Sequence, residues 1–522
     1  MNAPASKGST YDCVVIGAGH NGLVCAAYLA RAGKSVLVVE SAGQVGGAAV
    51  TREFAPGFKV SACAHLLHLM PADMVSELNL MRHGLTLAAR GLSTTALRED
   101  QSPFTVDAAG LATVSSSDSA SFVAYTAQMR KFAAVLLSAL DAPPPRLGTN
   151  EMKDKLSLLR LGWKLRKLGR RDMRELLRIG GMNVYDLLEE NFETAELKGA
   201  LGLDATLGTN YGPRTPGTVL SLLYRLACEG AGGHEMSVAK GGMGAVCEAL
   251  AASARSSGAQ IRMNSAVSRI LVESDRAAGV ELADGEKINA RTVISGADPK
   301  TTLLGLLGAR YLDTGFVRSM RHLRSRGLAA KLHLALNDQP LFRGVSAQQM
   351  RGRLLIAPSL DHIERAYNHS KYGEYSDEPV LEISVPSLDD ATLAPTGKHV
   401  LSAIVQYAPY DLKGGWGAAR QAFIDIAVRR IERFAPGLSA QIAASELVTP
   451  LDIERDFKIS GGHWHHAEFA FDQFFMVRPV PGAAQYSTPL PGLFLCGAGS
   501  HPGGGVTGLP GRNAARRIIG MN

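Results

Sequence analysis

Residues 12–40 constrain the fold more than any other stretch of the chain. Residues 12–16 (Asp-Cys-Val-Val-Ile) are a short apolar run of the kind that forms a buried parallel strand. They lead into Gly17-Ala18-Gly19-His20-Asn21-Gly22, a G-x-G-x-x-G. Leu23, Ala26, Ala27 and Ala30 then recur at a spacing that buries one helical face. Gly33 ends that helix, and residues 35–39 form a second apolar run closed by Glu40. Each part has a physical task. Gly17 permits the tight turn, Gly19 lets the backbone approach a pyrophosphate, and Gly22 lets the helix pack closely on the sheet. The helix N-terminus offers unpaired N–H groups and a positive dipole end to phosphate. Glu40 is placed to accept hydrogen bonds from the ribose hydroxyls of an adenosine. A lone G-x-G-x-x-G arises by chance in a chain with 56 glycines. Strand, turn, helix, strand and acid in this order predict a dinucleotide-binding βαβ unit.

The glycines alone do not choose between NAD and FAD. Gly46-Gly47 follows Glu40 closely, and a second glycine-rich block lies near the far end, from Gly492 through Gly497, Gly499, His501, Gly503, Gly504, Gly505 and Val506 to Gly508. This block predicts a strand at residues 493–496, a glycine turn, and a helix starting near Val506 and running through Arg517. A helix N-terminus at a flavin's pyrimidine edge would stabilise the charge that the reduced ring gathers. These residues, with the stretch VGGAAVTREFAPGFKVSACAHLL, resemble the phytoene desaturase branch of the amine oxidase and carotenoid desaturase flavoproteins. Within that branch the similarity runs to the pyridine nucleotide-disulfide oxidoreductase domain-containing group and its bacterial relatives.

The resemblance implies an α/β chain with a discontinuous Rossmann-like FAD-binding domain and an α+β substrate domain. The FAD domain would comprise residues 1–85, 235–300 and 451–522, and the substrate domain residues 86–234 and 301–450. It implies FAD as cofactor, held by Gly17, Gly19, Gly22, Glu40, Gly46, Gly47, Ala48, Val267, Gly497, Gly504, Gly505 and Val506. Val267 would meet the adenine side through its backbone, or be an ordinary core valine. Family members act on lipophilic polyenes as desaturases, isomerases or ketolases, so the substrate implied is a lipophilic small molecule. No second strand–G-x-G-x-x-G–helix unit is visible, so electrons should leave to oxygen or a quinone rather than arrive from NAD(P)H. Amine oxidases usually carry Arg after the Gly-Gly pair, where this chain has Ala48. That disfavours a flavin amine oxidase, the alternative enzyme; a flavin-bearing interaction or assembly protein without turnover is the other alternative.

His501 is the candidate catalytic residue, either a polar contact beside the isoalloxazine or a structural histidine fixing the loop. His65 and His68 could line the pocket or the core. In His463-Trp464-His465-His466, a strand would put His463 and His465 on one face, yet no acid or thiol with metal-site spacing accompanies them. No metal is expected, and Phe469, Phe471, Phe474 and Phe475 favour an aromatic pocket wall. Asp472 is either a general acid or a turn residue.

Six cysteines are scattered without any C-x-x-C pair, predicting reduced, buried thiols. No apolar run is long enough to span a bilayer, and the polar N-terminal decapeptide does not resemble a secretory signal. The expectation is a cytoplasmic protein, peripheral to a membrane at most. The net charge of +7 arises largely in residues 151–180, which hold ten Lys/Arg against four Asp/Glu. Interleaved aromatics are missing there apart from Trp163, which disfavours nucleic acid. Leu158, Leu161, Leu165 and Leu168 predict one helical face, with Lys153, Arg160, Lys164, Lys167 and Arg171 beside it, as a lipid-surface contact. Gly162 and Gly169 interrupt the helix, and such a stripe equally packs on its own domain. Residues 115–121 read as a Ser-rich loop, and 142–150 as a Pro-rich one.

Overall fold

Strands from three separated stretches of chain build one seven-stranded sheet. Tyr11–Ile16 lies at its centre, parallel to Val36–Val39 on one side and to Lys287–Ser295 on the other. Gln260–Arg262 extends the first side, and Leu493–Leu495 pairs with the C-terminal half of Lys287–Ser295. The strands Val267–Glu273 and Arg276–Leu282 add an antiparallel flap. The computed structural model describes residues 10–146, 148 and 150–521; the N-terminal residues 1–9 of the decapeptide, and Leu147 and Thr149 of the Pro-rich stretch, lie outside the described residues.

The βαβ unit forms because its parts bury one another. Helix His20–Arg31 sinks Leu23, Val24, Ala26, Ala27 and Ala30 into the sheet and packs between helices Met243–Ser256 and Leu509–Ile519. Burial of each larger apolar side chain contributes about 1.5–3 kcal/mol.

A second seven-stranded sheet is built from the intervening stretches of chain. Its order is Ile442–Val448, Ala329–Leu336, His399–Gln406, Val380–Ser384, Arg353–Ile356, Thr94–Ala96 and Phe104–Thr105. All pairs are antiparallel except Arg353–Ile356 with Thr94–Ala96. The helices Ser116–Leu140, Ala195–Thr206 and Thr218–Ala231 pack beside it around a common apolar core.

Two local expectations are corrected. Residues 115–121 open a 25-residue helix rather than a loop, because Ser115 accepts from the Asp118 amide and caps it. The basic segment folds as two helices, Met152–Lys167 and Gly169–Ile179, broken where Gly169 takes φ +83°. Gly162 stays inside the first of them. Leu158, Leu161 and Leu165 are half-buried and Leu168 is buried, so the predicted lipid-facing stripe is the face turned inward.

Candidate active site

The loop after the first strand forms a closed cradle. Gly17 takes φ +92°, and its amide donates to the Val39 carbonyl at 2.8 Å. A Cβ on Gly22 would stand 2.2 Å from the Gly17 carbonyl oxygen, so this position admits no side chain. Gly19 has open space where its Cβ would be. Gly46 takes φ +127°, donates to the Ala18 carbonyl at 2.9 Å, and lies against Gly19. The two glycine pairs are thus parts of one backbone surface. The Glu40 carboxylate ties it together, accepting from the Ala18 amide at 2.7 Å and the Ala42 amide at 2.8 Å.

This surface forms one wall of a cavity of about 1010 Å³. Gly17, Gly19, Gly22, Glu40, Gly46, Gly47, Ala48, Val267, Gly505 and Val506 all line it. Val267 comes beside Glu40 because the Ser265 amide donates to the Glu40 carbonyl at 2.7 Å. The opposite wall draws on the second sheet and its helices through Ile404, Glu382, Leu207 and Arg225, with Leu66, Leu69, Trp464 and His465 between. Asn21 Oδ1 and His466 Nδ1 belong to wall residues, are buried, and find no hydrogen-bond partner among the described residues. Open space beside Gly19 and a buried acid at the end of the second strand, both on the wall of this cavity, fit a dinucleotide such as FAD.

Three predicted residues do not reach this wall. His501 is fully buried, its Nε2 lies 3.1 Å from the Ala139 carbonyl, and burial pushes its pKa down to about 3. It ties the glycine-rich turn to the end of helix Ser116–Leu140, which sequence proximity to that turn could not reveal. Gly497 packs behind the wall, where a Cβ would stand 2.4 Å from the Gly296 carbonyl oxygen. Gly504 packs on His465 and accepts a hydrogen bond from Tyr224 at 2.8 Å. The C-terminal helix starts at Leu509 rather than near Val506, because Gly505 and Gly508 take φ +93° and +70° and keep the chain out of helical conformation.

His463 to His466 form turns rather than a strand. Trp464, His465 and His466 line the cavity, whereas His463 turns to Glu468, 3.3 Å away. Phe469 and Phe474 pack with Tyr224 behind this wall, while Phe471 is exposed. Asp472 lies on the surface, paired with Arg324. All six cysteines are free and buried; Cys63 lines the cavity, and burial pushes its thiol up to about 12.

A buried ionic chain beside the cavity leaves no contiguous motif in the sequence. Lys331 Nζ donates to His65 Nδ1, and His65 Nε2 donates to Glu382 Oε1 at 2.9 Å. Glu382 also accepts from Arg353, which reaches Asp204 at 2.6 Å. Burial would raise the Glu382 carboxyl, but the Arg353 charge and the His65 hydrogen bond outweigh it and hold it well below the usual range. Burial lowers His65 to about 4, so its ring is neutral at pH 7, as accepting at Nδ1 requires. Burial likewise lowers Lys331 to about 7. His65 and His68 both line the cavity, and His68 and Arg225 also line a second cavity of about 180 Å³. The available signal was a lone charge inside an apolar strand: Lys331 in Ala329–Leu336 and Glu382 in Val380–Ser384.

Residues 22–519 match the family described as "Flavin containing amine oxidoreductase". The chain is 35% identical to mouse "Pyridine nucleotide-disulfide oxidoreductase domain-containing protein 2", over 98% of this chain and 93% of that protein. It is 26% identical to a limonene dehydrogenase polypeptide of Castellaniella defragrans, over 98% of this chain and 95% of that protein. An oxidoreductase structure from Methanosarcina mazei shares the fold, with TM-score 0.60 and 18% identity over 97% of this chain and 99% of that one.

Proposed function

The chain belongs to the flavin containing amine oxidoreductase family, and from that premise we propose that this FAD-dependent oxidoreductase oxidises a lipophilic small molecule of terpenoid or polyene character. FAD, when bound, supplies the two-electron acceptor to which a substrate C–H bond loses hydride. The backbone at Gly17, Gly19, Gly46 and Gly47 would hold the pyrophosphate, with Glu40 and Val267 at the adenosine. Ala48, Gly505 and Val506 would flank the flavin ring. Oxygen or a quinone would take the electrons onward.

The composition of the far wall carries the substrate reading. Leu66, Leu69, Leu207, Ile404, Ile459 and Trp464 offer apolar surface, which orients an apolar substrate and excludes water. The carboxylates of that region are already engaged. Glu382 is held by His65 and Arg353, Asp456 by Arg455, and Asp298 by the amides of Lys300, Thr301 and Ser460. Each is already paired or hydrogen-bonded within the fold, which disfavours it as the seat of a substrate ammonium, as Ala48 disfavours an amine. The limonene dehydrogenase relative is named for an apolar hydrocarbon substrate, in keeping with this reading. The Lys331–His65 pair gives the site a place to hold a proton released on oxidation, at Nζ of Lys331.

Product analysis tests the proposal. FAD-loaded protein is incubated with a quinone and a panel of terpenes, polyenes and primary amines, and products are identified by mass spectrometry. A terpene or polyene product lacking two hydrogens or gaining oxygen supports it. Conversion of amines to aldehydes, with the apolar panel untouched, would overturn it.

A further inference from the structure

Helix Met152–Lys167 has two apolar faces, and the outer one is unlike ordinary protein surface. Its inner face carries Leu158, Leu161, Leu165 and the buried Asp154, whose carboxylate accepts from Gln485 at 2.9 Å. On the opposite side, Met152, Leu156, Leu159 and Trp163 recur at gaps of four, three and four, and are 66, 44, 69 and 60% exposed. At 100° per residue these four fall within about 60° of the helix circumference, a single strip about 17 Å long. Monomeric proteins seldom leave large apolar side chains aligned in this way.

The charges beside the strip indicate what covers it. Lys153, Arg160, Lys164 and Lys167 stand along one edge, and Lys155 and Arg166 along the other, all exposed. Asp154, the one acidic residue of this helix, is buried on its inner face. Lys167 Nζ lies 5.9 Å from the Trp163 ring centroid, so the aromatic residue sits at the boundary between apolar strip and basic edge. Arg170, Arg171 and Arg174 continue the exposed basic surface into the next helix. A second copy docked face to face would set these basic edges against each other.

We propose that this helix lies in the interface of an anionic phospholipid surface, with Met152, Leu156, Leu159 and Trp163 inserted among the acyl chains and the flanking Lys and Arg side chains on the headgroup phosphates. The face is rotated half a turn from the stripe that leucine spacing alone suggests. No helix among the described residues is long and apolar enough to cross a membrane, so the contact is peripheral. It goes beyond the substrate reading and does not depend on it.

The test uses full-length FAD-loaded protein with vesicles of phosphatidylcholine alone or mixed with phosphatidylglycerol. The chain has three tryptophans, and Trp416 and Trp464 are buried or half-buried in the fold. Co-sedimentation should therefore be paired with quenching of Trp163 emission by lipids brominated on the acyl chain. Binding is expected on anionic vesicles at low salt, with quenching that disappears in Trp163→Phe. Leu159→Glu with Trp163→Glu, or Lys164→Glu with Lys167→Glu, should weaken partitioning about tenfold or more while flavin content stays unchanged. The proposal would be overturned by no binding to anionic vesicles at low salt, by binding indifferent to both double variants, or by a concentration-dependent self-association that the same variants abolish. Specific capture of an acidic protein without lipid binding would assign the face to a protein partner and equally overturn it.

Discussion

At the scale of single residues, Glu40 and Lys331 carry the sharpest expectations. Glu40 lines the cavity and also secures the Ala18 and Ala42 amides. Glu40→Ala therefore removes a charged acceptor and loosens the glycine loop, and should weaken FAD binding by about 1–3 kcal/mol. Flavin titration of the apoprotein measures this, and an unchanged affinity would show that the adenosine is held elsewhere. Lys331 has its folded pKa lowered by burial from 10.5 to about 7. Between those values the unfolded chain binds the proton and the folded chain does not, so stability rises with pH across that window. Wild-type stability relative to Lys331→Met should therefore climb from pH 7 to 10 by about 1 kcal/mol per unit, as denaturant midpoints would report. A difference flat in pH would show that Lys331 keeps its proton in the fold.

At the scale of elements, the glycine cradle separates binding from folding. Gly19 has open space where a Cβ would sit, whereas at Gly22 a Cβ would meet the Gly17 carbonyl at 2.2 Å. Gly19→Ala should leave apoprotein stability nearly unchanged and weaken FAD affinity, while Gly22→Ala should lower both. Thermal melts of apoprotein and flavin titrations distinguish the two; equal loss of apo stability would remove the distinction. The cradle was legible because strand, turn, helix and acid are neighbours in sequence, each with a local signature. The two readings of His501 could not be separated in the sequence for the opposite reason, since the carbonyl that its ring nitrogen meets, Ala139, lies far away in the chain. The ionic chain was likewise hidden, because Lys331 and Glu382 reach His65 across separations of 266 and 317 residues. The outer face of helix Met152–Lys167 was masked by the more regular leucine stripe, and only packing reveals which of two apolar stripes is covered.

At the scale of the whole molecule, residues of both seven-stranded sheets line one cavity of about 1010 Å³. The first is built from three chain segments and presents backbone and one acid; the second supplies apolar side chains and a buried ionic chain. That division matches what an FAD enzyme of an apolar substrate requires: fixed polar contacts for the cofactor, and a dry, shaped space for the reacting carbon. Anaerobic mixing of the FAD-loaded protein with candidate donors, followed by the flavin's visible absorbance, tests this most directly. Bleaching by a terpene or polyene, slowed in a Leu207→Arg variant that fills the apolar wall, is the expected result. Bleaching by primary amines or NAD(P)H while the apolar donors leave the flavin oxidised would contradict it.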